Sequence, residues 1–456
     1  MSILDRKTSR RELLQLTATA ALVTATSTLV SACTAAVAPT QGEGQSPAQE
    51  GATITYWDWW SMTAGPSGRM FEALPSAFAE VEPTIQLELQ NVPFDEYFTK
   101  FLAAHAAGDV PDVMHSSVDW GRSFFDRGAI LDLTPFIETT PSMARDQFLP
   151  GALHQATKGA AQYGVPGEGP DHDTIFYNVD YFAEAGLPTE LEEVMNWTWS
   201  DFTEAATTLT VRDANGQVSR SGFLVPVPSH HQMAYWAGCQ GGSFYNEDET
   251  GVAFHENNAA VDGLNWWLEL QEKASQPLTA ERQDFQQFLQ GTTAMAQSGP
   301  WDFVQIAEQS PDLNWSAMLI PAKPGENGQI STSIWNNMLV MPAKAQNQEA
   351  GWSLLTYWCG LDWMLQRLEI GSWMAPRNDF YETAEYQQAL EGMPVLANVP
   401  LASEVGTSVA FIESTAIQAT INPILEAVML GEREPESAVA EMVEKCNEIL
   451  AKAGYG

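Results

Sequence analysis

Between residues 52 and 114 the chain switches repeatedly between a strand-like and a helical hydrophobic period, and that succession admits few folds. Ile54, Tyr56 and Trp57 stand in a short β-rich run at residues 52–57. Over 68–81 the apolar residues Met70, Phe71, Leu74, Phe78 and Val81 recur on one helix face, and Pro83 ends the run. Ile85, Leu87 and Leu89 alternate with polar residues, which predicts a second strand. Residues 95–107 repeat the helical pattern through Phe98, Phe101 and Leu102, and residues 109–114 predict a third strand. Strands joined by helices cannot turn back as hairpins, so they pair in parallel through right-handed crossovers. The predicted class is α/β, and ligands of such sheets sit beyond the carboxyl ends of the strands. Two stretches occupy that place: Asp58-Trp59-Trp60-Ser61 after the first strand and His115-Ser116-Ser117-Val118-Asp119-Trp120 after the third.

A length of 456 residues holds two or three domains at roughly 150 residues each. Further helices are predicted over 200–209, 259–273 and 284–289, with a strand over 293–296 running into Ser298-Gly299-Pro300-Trp301. Gly167-Glu168-Gly169-Pro170-Asp171-His172-Asp173 reads as a glycine-rich bend between lobes. Near the start, Ser9-Arg10-Arg11-Glu12-Leu13-Leu14 and the mildly apolar stretch to Ala32 resemble a twin-arginine export signal. Leu29-Val30-Ser31-Ala32-Cys33 resembles a bacterial lipobox, so residues 1–32 are expected to be removed and Cys33 to carry acyl chains that hold the protein at the outer face of a membrane. The alternative is an ordinary N-terminal anchor helix, which the many Thr and Ser residues disfavour. Residues 33–51 have no hydrophobic period and read as a flexible tether.

Fifty-eight acidic against 21 basic side chains give a formal charge of -37, which repels phosphate backbones and argues against nucleic acid as a partner. Beyond Cys33 only Cys239, Cys359 and Cys446 remain, enough for one disulfide at most. The histidines include the neighbours His230 and His231 but no metal-binding spacing, so neither a metal nor another cofactor is called for.

The chemistry lies in the 16 tryptophans. The apolar CH face of a sugar ring fits an indole face, while hydroxyls at its edge need carboxylates, amides and guanidinium groups. Trp57, Trp197, Trp199, Trp266, Trp267, Trp352 and Trp358 fall inside or at the caps of predicted elements, where packing accounts for them. Trp59, Trp60, Trp120, Trp236, Trp301, Trp335 and Trp373 fall beside Gly, Pro or polar clusters and are the candidates for a ligand wall. Asp119, Asp171, His172, Asn336 and Arg377 are their candidate polar partners.

Several of these segments resemble, in order and spacing, the extracellular solute-binding proteins of ABC importers, in the sugar-binding family that includes maltose-binding protein. They include Ile54-Thr55-Tyr56-Trp57-Asp58-Trp59-Trp60, Gly108-Asp109-Val110-Pro111-Asp112-Val113, residues 128–136, Gly164-Val165-Pro166, residues 175–188, Ser298-Gly299-Pro300-Trp301 and Gly371-Ser372-Trp373-Met374-Ala375-Pro376-Arg377. The resemblance implies a two-lobe periplasmic-binding-protein fold of type II character, with three hinge crossings and an interlobe cleft. It divides the chain into 52–167 with 336–382 and 168–335 with 383–456. It also implies a monomer that takes up a carbohydrate and hands it to a membrane permease, without acting as an enzyme. Position by position, Trp59, Trp60 and Asp119 match the ligand wall and Trp301 the family's stacking Trp, while the bend at Asp171 and His172 departs from the pattern. Two other readings compete: a carrier for a polyol, peptide or phosphorylated glycerol, and a secreted glycoside hydrolase, which needs a carboxylate pair about 5 to 10 Å apart.

Overall fold

The computed structural model describes residues 51–278 and 284–455. The leader, Cys33 and the tether through residue 50 lie outside the described residues. The first sheet opens with β1 (Thr53–Asp58), flanked in parallel by β2 (Gln86–Asn91) and β3 (Val113–Ser116). The helices Gly65–Val81 and Phe94–Ala107 make the crossovers, as the periodicity predicts. The third strand starts four residues later than predicted because Pro111 lacks an N–H and the Asp112 carboxylate is engaged by Thr55 N at 2.9 Å. Tyr97 OH donates to Trp57 O at 3.0 Å and His115 O at 2.8 Å, tying the carboxyl ends of β1 and β3 together. Val81, expected on the buried helix face, is 61% exposed at the last turn.

A short hairpin, β4 (Thr157–Lys158) and β5 (Ala161–Gln162), precedes β6 (Val165–His172). Here the structure corrects the sequence reading: residues 165–172 are a buried strand of the first sheet, antiparallel to β12 (Ser333–Val340), and not a bend. The glycines serve close packing, since a Cβ on Gly167 would come within 2.9 Å of the Leu339 side chain, and one on Gly164 would meet Met338. Beneath β6 the Arg367 guanidinium is buried, donating to Gly167 O at 2.7 Å and lying over the Trp358 ring at 5.1 Å. β12 also pairs antiparallel with β3 and parallel with β13 (Thr407–Ser408), so the first sheet is mixed.

The second sheet begins with β7 (Thr174–Asn178), so the chain changes sheet at Asp173, beyond the 167/168 division read from the sequence. It is completed by β8 (Val211–Arg212), β9 (Val218–Leu224), β10 (Thr293–Ser298) and β11 (Trp315–Met318), in the order β11-β7-β10-β9-β8. Its core gathers side chains from the helices Trp199–Leu209, His230–Gly238, Ala259–Ala274, Ser414–Met429 and Pro435–Lys452.

Two candidate ligand residues belong to these cores. Trp120 lies in the helix Val118–Asp126, 5% exposed and stacked on Tyr97 with ring centres 5.2 Å apart. Trp236 lies in the helix His230–Gly238 with no exposure, edge-on to Trp267 at 5.5 Å. Neither helix was expected, although Ser117 caps the first and a Ser229/Gln232 capping box starts the second. Cys239, Cys359 and Cys446 are free and buried, and burial pushes each thiol up to about 12.

Gly263 lies directly under the Trp236 ring, with no room for a Cβ. Gly263→Val should therefore cost about 1–3 kcal/mol by overpacking, read as a lower urea midpoint with an unchanged slope.

Candidate functional site

A cavity of about 230 Å³ opens where elements of both sheets meet. The loop after β1 supplies Trp60, the first turn of Gly65–Val81 supplies Pro66 and Ser67, and β6 supplies Glu168 and Asp171. From the second sheet come Trp301, just after β10, and Gln305 and Glu308 of the following helix Phe303–Gln309. The end of the helix Leu361–Gly371 closes the ring with Ser372 and Trp373.

Local sequence sets the indoles in place. Ser298 donates to the Asp302 carboxyl across the turn, and burial pushes that carboxyl up to about 6. The Trp301 ring folds back over Gly299, where a side chain would collide with it, and stays 40% exposed. Ser372 ends its helix in left-handed backbone, φ 54°, and turns Trp373 over Gly371 toward Pro66. Glycine is needed at both places because the indole takes the space of a Cβ.

Behind Trp60 lies a buried polar ladder. His115 Nδ1 is 3.1 Å from Asp58 Oδ2 and its Nε2 is 3.3 Å from Glu168 Oε2, with all three residues at most 4% exposed. Trp59 stacks flat on the His115 ring, centres 4.1 Å apart and 7° between planes. Tyr56 OH donates to Asp58 at 2.6 Å, and burial followed by the Asp58 charge raises the phenol's pKa well above its ordinary value. Burial raises the Glu168 carboxyl against the pull of His115 and Arg367. Asp171 is raised well above the carboxylate range, by burial and then by Glu168, and it accepts from Asn337 Nδ2 at 3.2 Å.

A second polar cluster joins the lobes. Asp119 accepts from Ser414 Oγ at 2.7 Å and lies 3.6 Å from His230 Nε2, while His231 Nδ1 lies 3.0 Å from Asp173 Oδ2. Despite its burial, Asp119 is held low by His230 and Ser414, and Asp173 by His231 and Ser333. The His231 ring meets Trp335 at 4.5 Å, and Trp335 meets Trp301 at 5.6 Å, which links the cluster to the cavity.

The structure thus brings Trp60, Asp171, Trp301 and Trp373 to one cavity and sets Trp59, Asp119 and Trp335 half-buried beside it. The remaining candidates point elsewhere. Besides Trp120 and Trp236, His172 is fully buried near Pro170 O with its pKa lowered by burial to about 4. Asn336 is buried and donates to Gln155 Oε1 from its backbone N at 2.8 Å and its side-chain Nδ2 at 3.3 Å, while its Oδ1 has no hydrogen-bond partner among the described residues. Arg377 forks onto Asp379 at 2.7 and 2.8 Å and donates to Ser142 O, leaving its guanidinium committed. Sequence reasoning missed Glu168, Glu308 and the role of the two histidines. The acidic residues Glu168 and Asp171 in the glycine-containing stretch and the His230-His231 pair were the available signals. Among the described residues no His, Cys, Asp and Glu group is placed to hold a metal, and no helix is long and apolar enough to cross a membrane.

A family model described as bacterial extracellular solute-binding protein matches residues 64–364. Solved structures share the fold at low identity. An ABC substrate-binding protein from Listeria monocytogenes in complex with cycloalternan aligns with a TM-score of 0.74 at 21% identity, covering 88% of this chain and 99% of that one. The GacH receptor of Streptomyces glaucescens, described unliganded and with acarbose, aligns at 0.73 and 22% identity over 88% and 98%. The sugar-binding protein MalE from Xanthomonas citri aligns at 0.73 and 20% identity over 88% and 98%.

The His231–Asp173 contact has a defined pH window. Burial works against the imidazolium, but the Asp173 charge outweighs it and the net shift is upward. A raised folded-state pKa stabilises fully below the unfolded value of about 6.5, and the benefit is lost as pH rises through the folded value. The melting-temperature advantage of wild type over His231→Gln should be largest near pH 6 and shrink by pH 9, as thermal melts across that range will show.

Proposed function

The chain belongs to the bacterial extracellular solute-binding proteins, and from that premise we propose that it captures a carbohydrate between its two lobes for an ABC importer. The carrying observation is the cavity at the meeting of the two sheets, walled by Trp60, Trp301 and Trp373 with Glu168 and Asp171 at its edge. An indole 40% exposed at such a place gives up water only when something apolar covers it. If each stacked indole removes about 80 Å² of sugar CH surface from water, at ~25 cal/mol per Å² it contributes about 2 kcal/mol. Two or three stacks with hydrogen bonds leave about 8 kcal/mol after the costs of association, a micromolar affinity. The volume suits a single ring more than a long chain.

A guest touching both lobes favours the closed form by the difference in its affinity for closed and open states. The closed surface is what the permease would recognise, and no bond in the guest needs to break, so the protein acts as a carrier and not as an enzyme. The cluster of Asp119, Ser414 and His230 adds a direct lobe-to-lobe contact to that closed form. In this reading the protein is an exported monomer held at the outer face of the membrane by acyl chains on Cys33, with lobes at 52–167 plus 336–382 and 168–335 plus 383–456, their junctions adjusted to the change of sheet at Asp173.

A thermal-shift screen against mono- and oligosaccharides tests the proposal, since a ligand bound only by the native state raises the melting temperature. No shift with any sugar at millimolar concentration would overturn it. Trp301→Ala should weaken the best ligand at least tenfold by calorimetric titration while the melting temperature of the free protein stays the same. Cys33→Ser should move the protein from the membrane pellet to the soluble fraction after cell fractionation.

A further inference from the structure

We propose that the guest is an amino sugar, bound through its protonated amine at Asp171. This deepens the carbohydrate reading and rests on it. The side chains lining the cavity include the carboxyls of Glu168, Asp171 and Glu308, and none is a Lys, Arg or His. Two of the three carboxyls are matched from outside. Glu308 pairs with Arg69 at 2.9 Å on the exposed rim, and Glu168 has the His115 ring at 3.3 Å behind it. Asp171 has no such partner: it accepts from the neutral Asn337 amide, and no cationic side chain among the described residues comes within ion-pair distance.

A carboxyl lining this cavity without a counter-charge is costly to ionise, and burial and then Glu168 raise its pKa. An ammonium group supplies the missing counter-charge and N–H donors that Asp171 can accept. A hydroxyl in the same place supplies one donor and no charge. The walls agree with this choice, because the faces of Trp60, Trp301 and Trp373 attract cations as well as sugar CH groups. A formal charge of -37 further enriches cations near the surface. Uronic acids and phosphorylated sugars would bring a negative charge to a wall that offers it no positive side chain.

The test is a matched-pair titration of the wild-type protein at neutral pH: glucosamine against glucose, galactosamine against galactose and mannosamine against mannose, with choline as a cation that is not a sugar. The epimer that fits should bind at least tenfold more tightly as the amine than as the alcohol. In Asp171→Asn, which keeps the shape and the Asn337 contact, that ratio should fall to near one. Equal or tighter binding of the neutral member overturns the inference and leaves carbohydrate capture standing. An undiminished amine preference in Asp171→Asn overturns the assignment to that residue. Choline binding above every sugar, or no binding by any sugar in the pairs and in the wider screen, overturns the carbohydrate reading and this inference with it.

Discussion

The antiparallel pairing of β6 with β12 carries both the connection between the sheets and one wall of the cavity. β12 is held along its other edge by β13 at one end and β3 at the other, so the ladder it offers β6 is fixed along its length. Glu168 and Asp171, three residues apart, both reach the cavity because β6 is irregular between them, with Gly169 at φ 110° and the register against β12 shifted there, while the glycines at 164 and 167 allow close approach to Met338 and Leu339. The register slips between Trp335 and Asn337, which leaves Trp335 half-exposed beside Trp301 while Asn336 turns inward to Gln155. The β6 wall of the cavity is therefore set by strand pairing.

Around this ladder the protein buries polar groups at some cost. Asp58, His115, Glu168 and Arg367 are almost without exposure, and burial alone disfavours their charged forms. Their arrangement offsets that cost by mutual contact: the imidazole lies between two carboxyls, and the guanidinium rests on a strand carbonyl and an indole. The ladder also gives Trp59 a flat partner, so the loop after β1 is anchored through a ring stack. Asp171 is the member left without an ionic neighbour, in keeping with stability being sacrificed locally at binding sites.

Much of the fold was legible because periodicity and packing coincide over residues 52–114: the chain alternates between two periods, and both periods end at buried faces. The stretch at 165–172 was not legible, since glycines that allow close approach look the same in sequence as glycines that allow a turn. For the site, a Trp beside Gly or Pro proved informative where the indole replaces a missing side chain, as at Trp301 and Trp373. The same cue misleads at Trp236, which sits inside a helix begun by the Ser229/Gln232 capping box. His172 and Arg377 show the limit of residue type as a guide: each is polar and near a functional segment, yet each is spent on backbone or on a neighbouring acid. Partners that come from distant parts of the chain, such as Ser414 for Asp119, leave no local trace.

The three buried thiols have a consequence for how the protein is made. Cys239, Cys359 and Cys446 each sit as small apolar fillers, so among the described residues no step of folding waits for an oxidant or a disulfide exchange. The finished fold is thus indifferent to redox compartment. The described fold can therefore close in a reducing compartment as readily as in an oxidising one.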